Sequence, residues 1–391
     1  MRVLHLTTEF PPLVFGGIGT SVGGLVTGSA RAGIDVGVQL VEATPASESG
    51  YNWYGYGYRG TGVGVFRRSA ARASGIEFLW TSSADAEDAG VHFSERWRAD
   101  VVHVHTATLW YVAQAIMKRG TPVIFHVHAV ERAELEITQD PTFYSGAQDL
   151  AIESASRVVA LSRSEAKLLG HYYPLAVDRV RVVGNGIADS PSARRSVLRR
   201  RPTGSPMVMY CGRPVARKGI RELFSAIPMV LGEVPEVRWV LVGVPPLSND
   251  HEASRHWVGK GVDSYPSPLH FTGWLLPDRV AEWYGAADIL VLPSHYEPFG
   301  MVILEAMLHG LAIVATRTGG PAEILDDGRT GILVPPRDVE ALGRAIVSLA
   351  ADAGLRHRMG RAAADEVRRK WLWSTKVREM RAVYSELTSS P

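Results

Sequence analysis

The sequence predicts an α/β protein made of two open, parallel, doubly wound sheets in tandem. Three observations carry that expectation. Short β-branched runs recur with helix-patterned segments between them; the alternation pauses near residue 185 and resumes near 207; and 391 residues, 46% hydrophobic and 21% charged, suffice for two domains with separate cores. Strands separated by helices pair in parallel, because a parallel connection needs a crossover of a dozen or more residues.

In the first half the strand-like runs are Val3 to Leu6, Val36 to Leu40, Val101 to His105, Val123 to Val127, Val158 to Leu161 and Val180 to Val183. Residues 186–205, polar, basic and marked by Pro and Gly, have the composition of a linker between a first domain at 1–185 and a second at 206–370. In the second half the runs are Met207 to Cys211, Val237 to Val242, Ile289 to Leu292, Ala312 to Ala315 and Gly331 to Val334, with helical patterns near 219–231, 278–286, 301–310 and 338–350. The last segment, 371–391, carries Trp371, Leu372, Val377, Met380, Val383, Tyr384 and Leu387 at amphipathic-helix spacing. In paired sheets of this kind ligands bind beyond the carboxyl ends of the strands, so a cleft between the domains is the expected site.

A net charge of +2 does not point to nucleic acid as a partner. The single cysteine, Cys211, excludes an intrachain disulfide, and the opening Met1-Arg-Val-Leu-His-Leu reads as a strand and not as a leader. No apolar run reaches the roughly 18–20 residues that span a bilayer, so a cytoplasmic location is expected. The basic run Arg194 to Arg201 reads as a solvated connection in preference to a membrane contact. The oligomeric state is not legible.

Three segments carry candidate chemistry. After the first strand comes Pro11-Pro12-Leu-Val-Phe-Gly16-Gly17-Ile-Gly19, followed by a small-residue helix to about Ala32. Glycines at a helix N-terminus aim N–H groups at an anion, so this is a phosphate loop or a tight turn. It lacks both the dinucleotide fingerprint and the Gly-Lys-Ser/Thr of a Walker loop. After the strand Met207 to Cys211 comes Gly212-Arg213-Pro-Val-Ala-Arg217-Lys218-Gly219, where Arg213 and Lys218 suit a diphosphate, or else form a solvated basic turn. The third is His295-Tyr-Glu297-Pro-Phe299-Gly300-Met301-Val-Ile-Leu-Glu305. A carboxylate accepts two hydrogen bonds at once, which suits vicinal hydroxyls of a sugar or ribose, whereas beside a phosphate it repels. Glu297 and Glu305 therefore belong at the neutral ends of a ligand whose anionic middle meets Arg213 and Lys218, while Gly300 and Met301 offer N–H donors at a helix start.

Glu297 and Glu305, with seven residues between them inside "PSHYEPFGMVILEAMLHGLAIVATRTGGPAEIL", resemble the signature of retaining glycosyltransferases of the GT-B fold, in glycosyltransferase family four, with glycogen synthases as relatives. The same chain order continues in "TTEFPPLVFGGIGTS", "HVHA", "VVGNGI", "YCGRPVARKGI", "FTGWL" and "DDGRTGILVPPRD". The resemblance covers nearly the whole chain and is weakest at about 45–100 and 245–265. It implies two Rossmann-like domains facing a central cleft, with the segment 371–391 crossing back to the first domain.

It also implies roles. Arg213 and Lys218 would hold the donor diphosphate and stabilise the leaving nucleotide, Glu305 would bind the ribose hydroxyls, and Glu297 would contact the transferred sugar. Gly16 and Gly17 would approach the diphosphate, His128 would sit near the donor sugar, backbone groups at Phe299, Gly300 and Met301 would touch sugar and phosphates, and Gly319 and Gly320 would lie nearby. The implied reaction moves a hexose from a nucleotide-diphosphate sugar, a UDP-sugar by preference, to a sugar or small-metabolite acceptor with retention, with no cofactor and no metal. One departure bears on the substrate. Bacterial glycogen synthases carry Lys-Thr before the two glycines, where this chain has Val14-Phe15, which weighs against a glucan-elongating enzyme. An epimerase of the same fold or a non-catalytic nucleotide-sugar binder are rivals of other classes.

Three further stretches each carry a functional and a structural reading. The aromatic run Tyr51 to Arg59 suits an acceptor loop or a hairpin packed on the sheet. His126 and His128 alternate with apolar residues on a strand end and have no third ligand at recognisable spacing, so His128 alone is taken as functional. Asp85-Ala-Glu-Asp88 reads as a solvated turn.

Overall fold

A computed structural model of the chain describes residues 1–11, 14, 16–41, 75–139, 146–199, 205–245 and 269–388. The aromatic run Tyr51 to Arg59 lies outside them. Among the described residues the strands form two wholly parallel sheets.

The first sheet holds β1 (Arg2–Thr7), β2 (Asp35–Val41), β3 (Glu77–Thr81), β4 (Val101–Val104), β5 (Val123–Val127), β6 (Arg157–Ala160) and β7 (Val180–Val182), in the order β3-β2-β1-β4-β5-β6-β7. The second holds β8 (Met207–Cys211), β9 (Arg238–Val242), β10 (Leu269–Gly273), β11 (Ile289–Leu292), β12 (Ala312–Thr316) and β13 (Ile332–Val334), in the order β10-β9-β8-β11-β12-β13. In each sheet the order reverses once, between β1 and β4 and between β8 and β11. At such a reversal neighbouring loops leave toward opposite faces, and the carboxyl ends of the two strands open a crevice.

Contacts divide the chain into two compact units: Met1–Leu135, Asp140–Gly186 and Trp373–Pro391 in one, Glu136–Gln139 and Ile187–Leu372 in the other. The central strands β4, β5, β11 and β12 are buried along their whole length, as near-continuous Val/Ile/Leu runs covered on both faces must be. Two strands escape the apolar-run criterion, β3 and β10. Both are sheet edges with mostly half-buried side chains, so neither needs an unbroken apolar run.

The stretch 186–205 is more than a linker. It contains the helix Pro191–Arg199, with Ala193 buried and its backbone N–H donating to Ser190 Oγ at 3.1 Å. Arg194, in the basic run, pairs with Asp189. Asp85 and Asp88 sit at the start of the helix Ala86–Trp97, where acidic groups complement the helix dipole, and Ser82 Oγ donates to Asp85 at 2.6 Å.

The final helix begins at Trp373, not at 371. Before it, Leu372 bridges Ile187, whose N–H donates to the Trp371 carbonyl at 2.8 Å. The helix Trp373–Thr388 buries Trp373, Val377, Met380, Val383 and Tyr384 in the core of the first unit, beside Val22, Leu25 and Val26 of the helix Gly17–Arg31. Gly24 and Gly28 make the seat: a Cβ at Gly24 would overlap the Trp373 indole, and one at Gly28 would lie 3.0 Å from Val377 Cγ2. Among the described residues, no helix is long and apolar enough to cross a membrane. Gly24→Ala is expected to lower the unfolding free energy by about 1–3 kcal/mol through overpacking. Gly232→Ala, where a Cβ meets nothing within 4 Å, should raise it by roughly 0.5–1 kcal/mol. Denaturant unfolding of the two variants gives both signs.

Candidate functional site

In the second unit the crevice between β8 and β11 collects the residues that the sequence singles out. The turn after β8 runs Gly212-Arg213-Pro214-Val215, then a short 3-10 turn Ala216–Lys218 that ends at Gly219 in the left-handed region (φ 64°). Gly219 is pressed against the Pro293 carbonyl, so a side chain there would strike backbone. That close approach brings Lys218 to the loop after β11.

There Lys218 Nζ lies 2.5 Å from Glu297 Oε2, with only 15% and 8% of the two side chains exposed. Ser294 Oγ donates to the same carboxylate oxygen at 3.3 Å. Burial works to raise the Glu297 carboxyl, but Lys218 and Arg217 outweigh it and hold it below the usual range. Burial also lowers the Lys218 ammonium, against the pull of Glu297. A buried pair whose carboxyl is held down is ionised at neutral pH. Arg213, exposed on the turn, adds its field to that of Arg217 at Lys218. Lys218 and Arg217 thus act on the Glu297 carboxylate and Arg213 acts on Lys218, which gathers cationic groups at this turn.

The loop after β11 is clamped by backbone. His295 N–H donates to the Arg217 carbonyl at 2.7 Å, and Gly320 N–H donates to the Glu297 carbonyl at 3.0 Å. Gly319 and Gly320 lie so near Glu297 and Phe299 that a Cβ on either would overlap a carbonyl oxygen. His295 Nε2 stands 3.0 Å from Glu222 Oε1, tying the loop to the helix Ile220–Glu233. Phe299 is buried and meets Trp371 edge to face at 5.6 Å, so its ring belongs to the core and only its backbone is at the site's disposal. Gly300, at φ 101°, caps the helix Met301–His309 in the left-handed region, with half-buried Met301 as first residue.

Glu305 lies one turn further along that helix. Tyr284 Oη donates to its Oε2 at 2.7 Å. Burial pushes the Glu305 carboxyl up to about 7, the Tyr284 hydrogen bond opposing it. The two glutamates therefore differ: Glu297 is fixed as a charged partner of Lys218, whereas Glu305 is poised to titrate near neutrality. The same burial pushes the neighbouring Cys211 thiol up to about 12, so it stays protonated.

In the first unit the expected phosphate loop has an occupant. Gly16 and Gly19 N–H groups donate to Glu9 Oε2 at 3.2 and 3.3 Å. The helix N-terminus thus holds this chain's own carboxylate where an anion was expected, and an incoming phosphate would compete with it. Gly17, the first helical residue, is exposed.

His128 is not alone with His126. His5 on β1, His103 on β4, His105 just beyond β4, His126 on β5 and His128 gather at the carboxyl ends of three adjacent strands. His5 Nδ1 is 3.0 Å from His105 Nε2, His128 Nε2 is 3.4 Å from His105 Nδ1, and His103 Nε2 is 3.2 Å from His126 Nδ1. Burial drives all five well down, His5 to about 3 and His128 to about 4, so the cluster is neutral at pH 7. The expectation that the strand-end pair lacks a third partner is thereby corrected. The signal existed in the paired spacings His103-x-His105 and His126-x-His128, but strand pairing was needed to add them together.

Residues 16–186 match the family profile described as Glycosyl transferase 4-like domain, and residues 205–352 the one described as Glycosyl transferases group 1. The chain is 29% identical over 410 residues to the glycogen synthase of Mycobacterium tuberculosis, covering 98% of this chain and 94% of the relative. It is 30% identical over 325 residues to the D-inositol 3-phosphate glycosyltransferase of Xylanimonas cellulosilytica, covering 77% and 75%. Among solved structures, sucrose-phosphate synthase from Thermosynechococcus elongatus superposes with a TM-score of 0.73 at 20% identity over 100% of both chains. Anabaena HepE in complex with UDP and glucose gives 0.72 at 20% identity over 99% of this chain and 100% of that one. With two reversed parallel sheets, a Lys–Glu pair at the second reversal and both family profiles in register, the chain belongs to the GT-B glycosyltransferases of family four.

Proposed function

We propose that the protein transfers a hexose from a nucleotide-diphosphate sugar, UDP-linked in the first instance, to a hydroxyl of a saccharide or small-molecule acceptor, with retention at the anomeric carbon and without a metal at the diphosphate. The observation that carries this reading is the ionised Lys218–Glu297 pair at the β8/β11 reversal, with Arg213 and Arg217 beside it.

The chemistry follows from charge. When the bond from the anomeric carbon to the diphosphate oxygen breaks, its electron pair goes to the diphosphate. Lys218, held by Glu297, and Arg213 on the turn beside it meet the growing negative charge, and stabilisation of that charge is usually the largest single catalytic term. The acceptor oxygen forms its bond on the face the leaving group vacates, and its proton passes to a donor phosphate oxygen. No second carboxylate at glycosidase spacing is then required. Glu297 contacts the sugar hydroxyls with whatever acceptor capacity Lys218 leaves, and ionised Glu305 accepts from the ribose hydroxyls. Backbone groups of Phe299, Gly300 and Met301, beside Glu297 in the same unit, supply further donor contacts in this reading.

A glucan-elongating activity is the second reading. It is favoured by relatives matched along nearly their whole length, the glycogen synthase above and the α-maltose-1-phosphate synthase of Mycolicibacterium smegmatis, 29% identical over 414 residues with all of both chains covered. Val14 in place of the lysine-bearing loop weighs the other way.

Nucleotide release from UDP-, GDP-, ADP- and dTDP-sugars, measured with and without maltooligosaccharide, sugar-phosphate and inositol-phosphate acceptors, tests the proposal. Acceptor-dependent release from one donor is expected; no release from any of them would overturn it. Lys218→Ala should cut kcat by about 100- to 1,000-fold and also destabilise the fold by roughly 3–5 kcal/mol, since Glu297 is left buried without its cation. Lys218→Ala that retained full activity would sink the assignment. For Glu305 the sign is fixed by its raised carboxyl. Between the ordinary value of 4.5 and about 7 the unfolded chain is ionised and the folded chain protonated, so stability falls as pH rises through that window. Donor capture runs the other way, because the ionised group accepts from both hydroxyls. A kcat/KM that climbs through about pH 7 and flattens in Glu305→Gln is expected; an unchanged profile in the variant would refute the ribose role.

A further inference from the structure

We propose that His105, His126 and His128 form a binding site for a divalent transition-metal ion, Zn2+ in the first instance, within the first unit. The proposal goes beyond the transfer reaction, which draws its positive charge from Arg213 and Lys218.

One ring nitrogen from each of the three lies within 4.8 Å of the other two. His105 Nδ1 and His128 Nε2 stand 3.4 Å apart. Two nitrogens on one tetrahedral zinc, each at about 2.0–2.1 Å, are separated by roughly 3.3 Å, so this pair needs almost no movement to share an ion.

Proton counting gives the second reason. A neutral imidazole has one N–H and one lone pair. The five rings form two chains, one running Tyr384 Oη, His103, His126 and the other His5, His105, His128. The first chain ends on His126 Nε2, a buried nitrogen with no hydrogen-bond partner among the described residues. If His103 Nδ1–H donates to Tyr384 Oη at 2.8 Å, then His126 Nδ1–H donates to His103 Nε2 and His126 Nε2 keeps its lone pair. In the same sense His105 Nε2–H donates to His5 Nδ1, and His105 Nδ1 turns a lone pair toward His128. In that tautomer set, and without an ion, this lone pair and the one on His126 stay buried, one unmatched and the other depending on a long contact. With an ion, each is used, and His103 and His5 become the outer partners that fix the ligand tautomers, the usual arrangement around metal-bound histidine.

The donor set selects the metal. Three nitrogens and no carboxylate suit zinc, cobalt, nickel or copper, and not magnesium or calcium. His128 is half-buried while His105 and His126 are buried, which gives the ion one side of entry. The alternative trio His5, His103 and His105 is fully buried, and the His5 and His105 nitrogens nearest each other already share a 3.0 Å hydrogen bond.

The full chain, stripped with chelator, is dialysed against Zn2+ and its metal content counted, and a parallel sample is titrated with Co2+ and read by visible absorption. One equivalent of zinc, a four-coordinate cobalt spectrum and a melting temperature raised by Zn2+ but not by Mg2+ are expected. His105→Gln and His126→Gln should each lose the bound equivalent, while the exposed His92→Gln keeps it. Wild-type protein that retains no zinc, a six-coordinate cobalt spectrum, or undiminished zinc in both cluster variants would overturn the proposal. Should the buried variants fail to fold, the wild-type stoichiometry and cobalt spectrum decide the matter alone. The measurement involves no sugar transfer and stands apart from the donor reading.

Discussion

Everything functional in this chain rests on one geometric constraint: parallel strands deliver all their carboxyl ends to the same edge of a sheet. Where the strand order reverses, the loops on either side leave toward opposite faces and the edge opens. In the second unit this happens between β8 and β11, and in the first between β1 and β4. The cationic turn follows β8, Glu297 follows β11, and the histidines follow or end β1, β4 and β5. Antiparallel strands would have scattered these residues over two opposite edges.

Glycine turns that opening into a site. Gly219 lets the Lys218 turn settle on the Pro293 carbonyl, and Gly320 lets the loop after β12 hold the Glu297 carbonyl with its own N–H. Each contact is backbone on backbone, with no room for a Cβ. Lys218 and Glu297 are thereby held in a pair that neither flexible side chain would keep by itself, and Ser294 takes up remaining acceptor capacity. An ionised pair removed from water gains little net stability. Under the proposed function its worth lies in the fixed cation it presents to the donor.

The two units treat their helix starts differently. At Gly300 the left-handed cap lets the helix Met301–His309 begin directly after the Glu297 loop, so Glu305 follows within the same short segment. At Gly16 the helix dipole is already met by Glu9, a local carboxylate that any phosphate has to replace. The first unit also carries the final helix, whose Tyr384 reaches His103 from beneath the sheet. That contact couples the last segment of the chain to the histidine cluster.

The sequence by itself determined the alternation of strands and helices, the two-sheet architecture, the family, and the segments that hold Arg213, Lys218, Glu297 and Glu305. Buried strands need runs of Val, Ile and Leu, and tight turns need Gly and Pro, so these signals are local and survive without coordinates. The edge strands β3 and β10 escaped because half-exposed strands carry no such run. Only the tertiary structure decided which charges meet. Lys218 and Glu297 are 79 residues apart, His5 and His105 are 100 apart, and His103 and Tyr384 are 281 apart. Pairing over such distances depends on strand order and register, which no local pattern of residues encodes. Protonation followed the same rule: two glutamates alike in sequence became unlike in the fold, because Lys218 and Arg217 hold one charged while burial beside Tyr284 and Cys211 lifts the other toward neutrality.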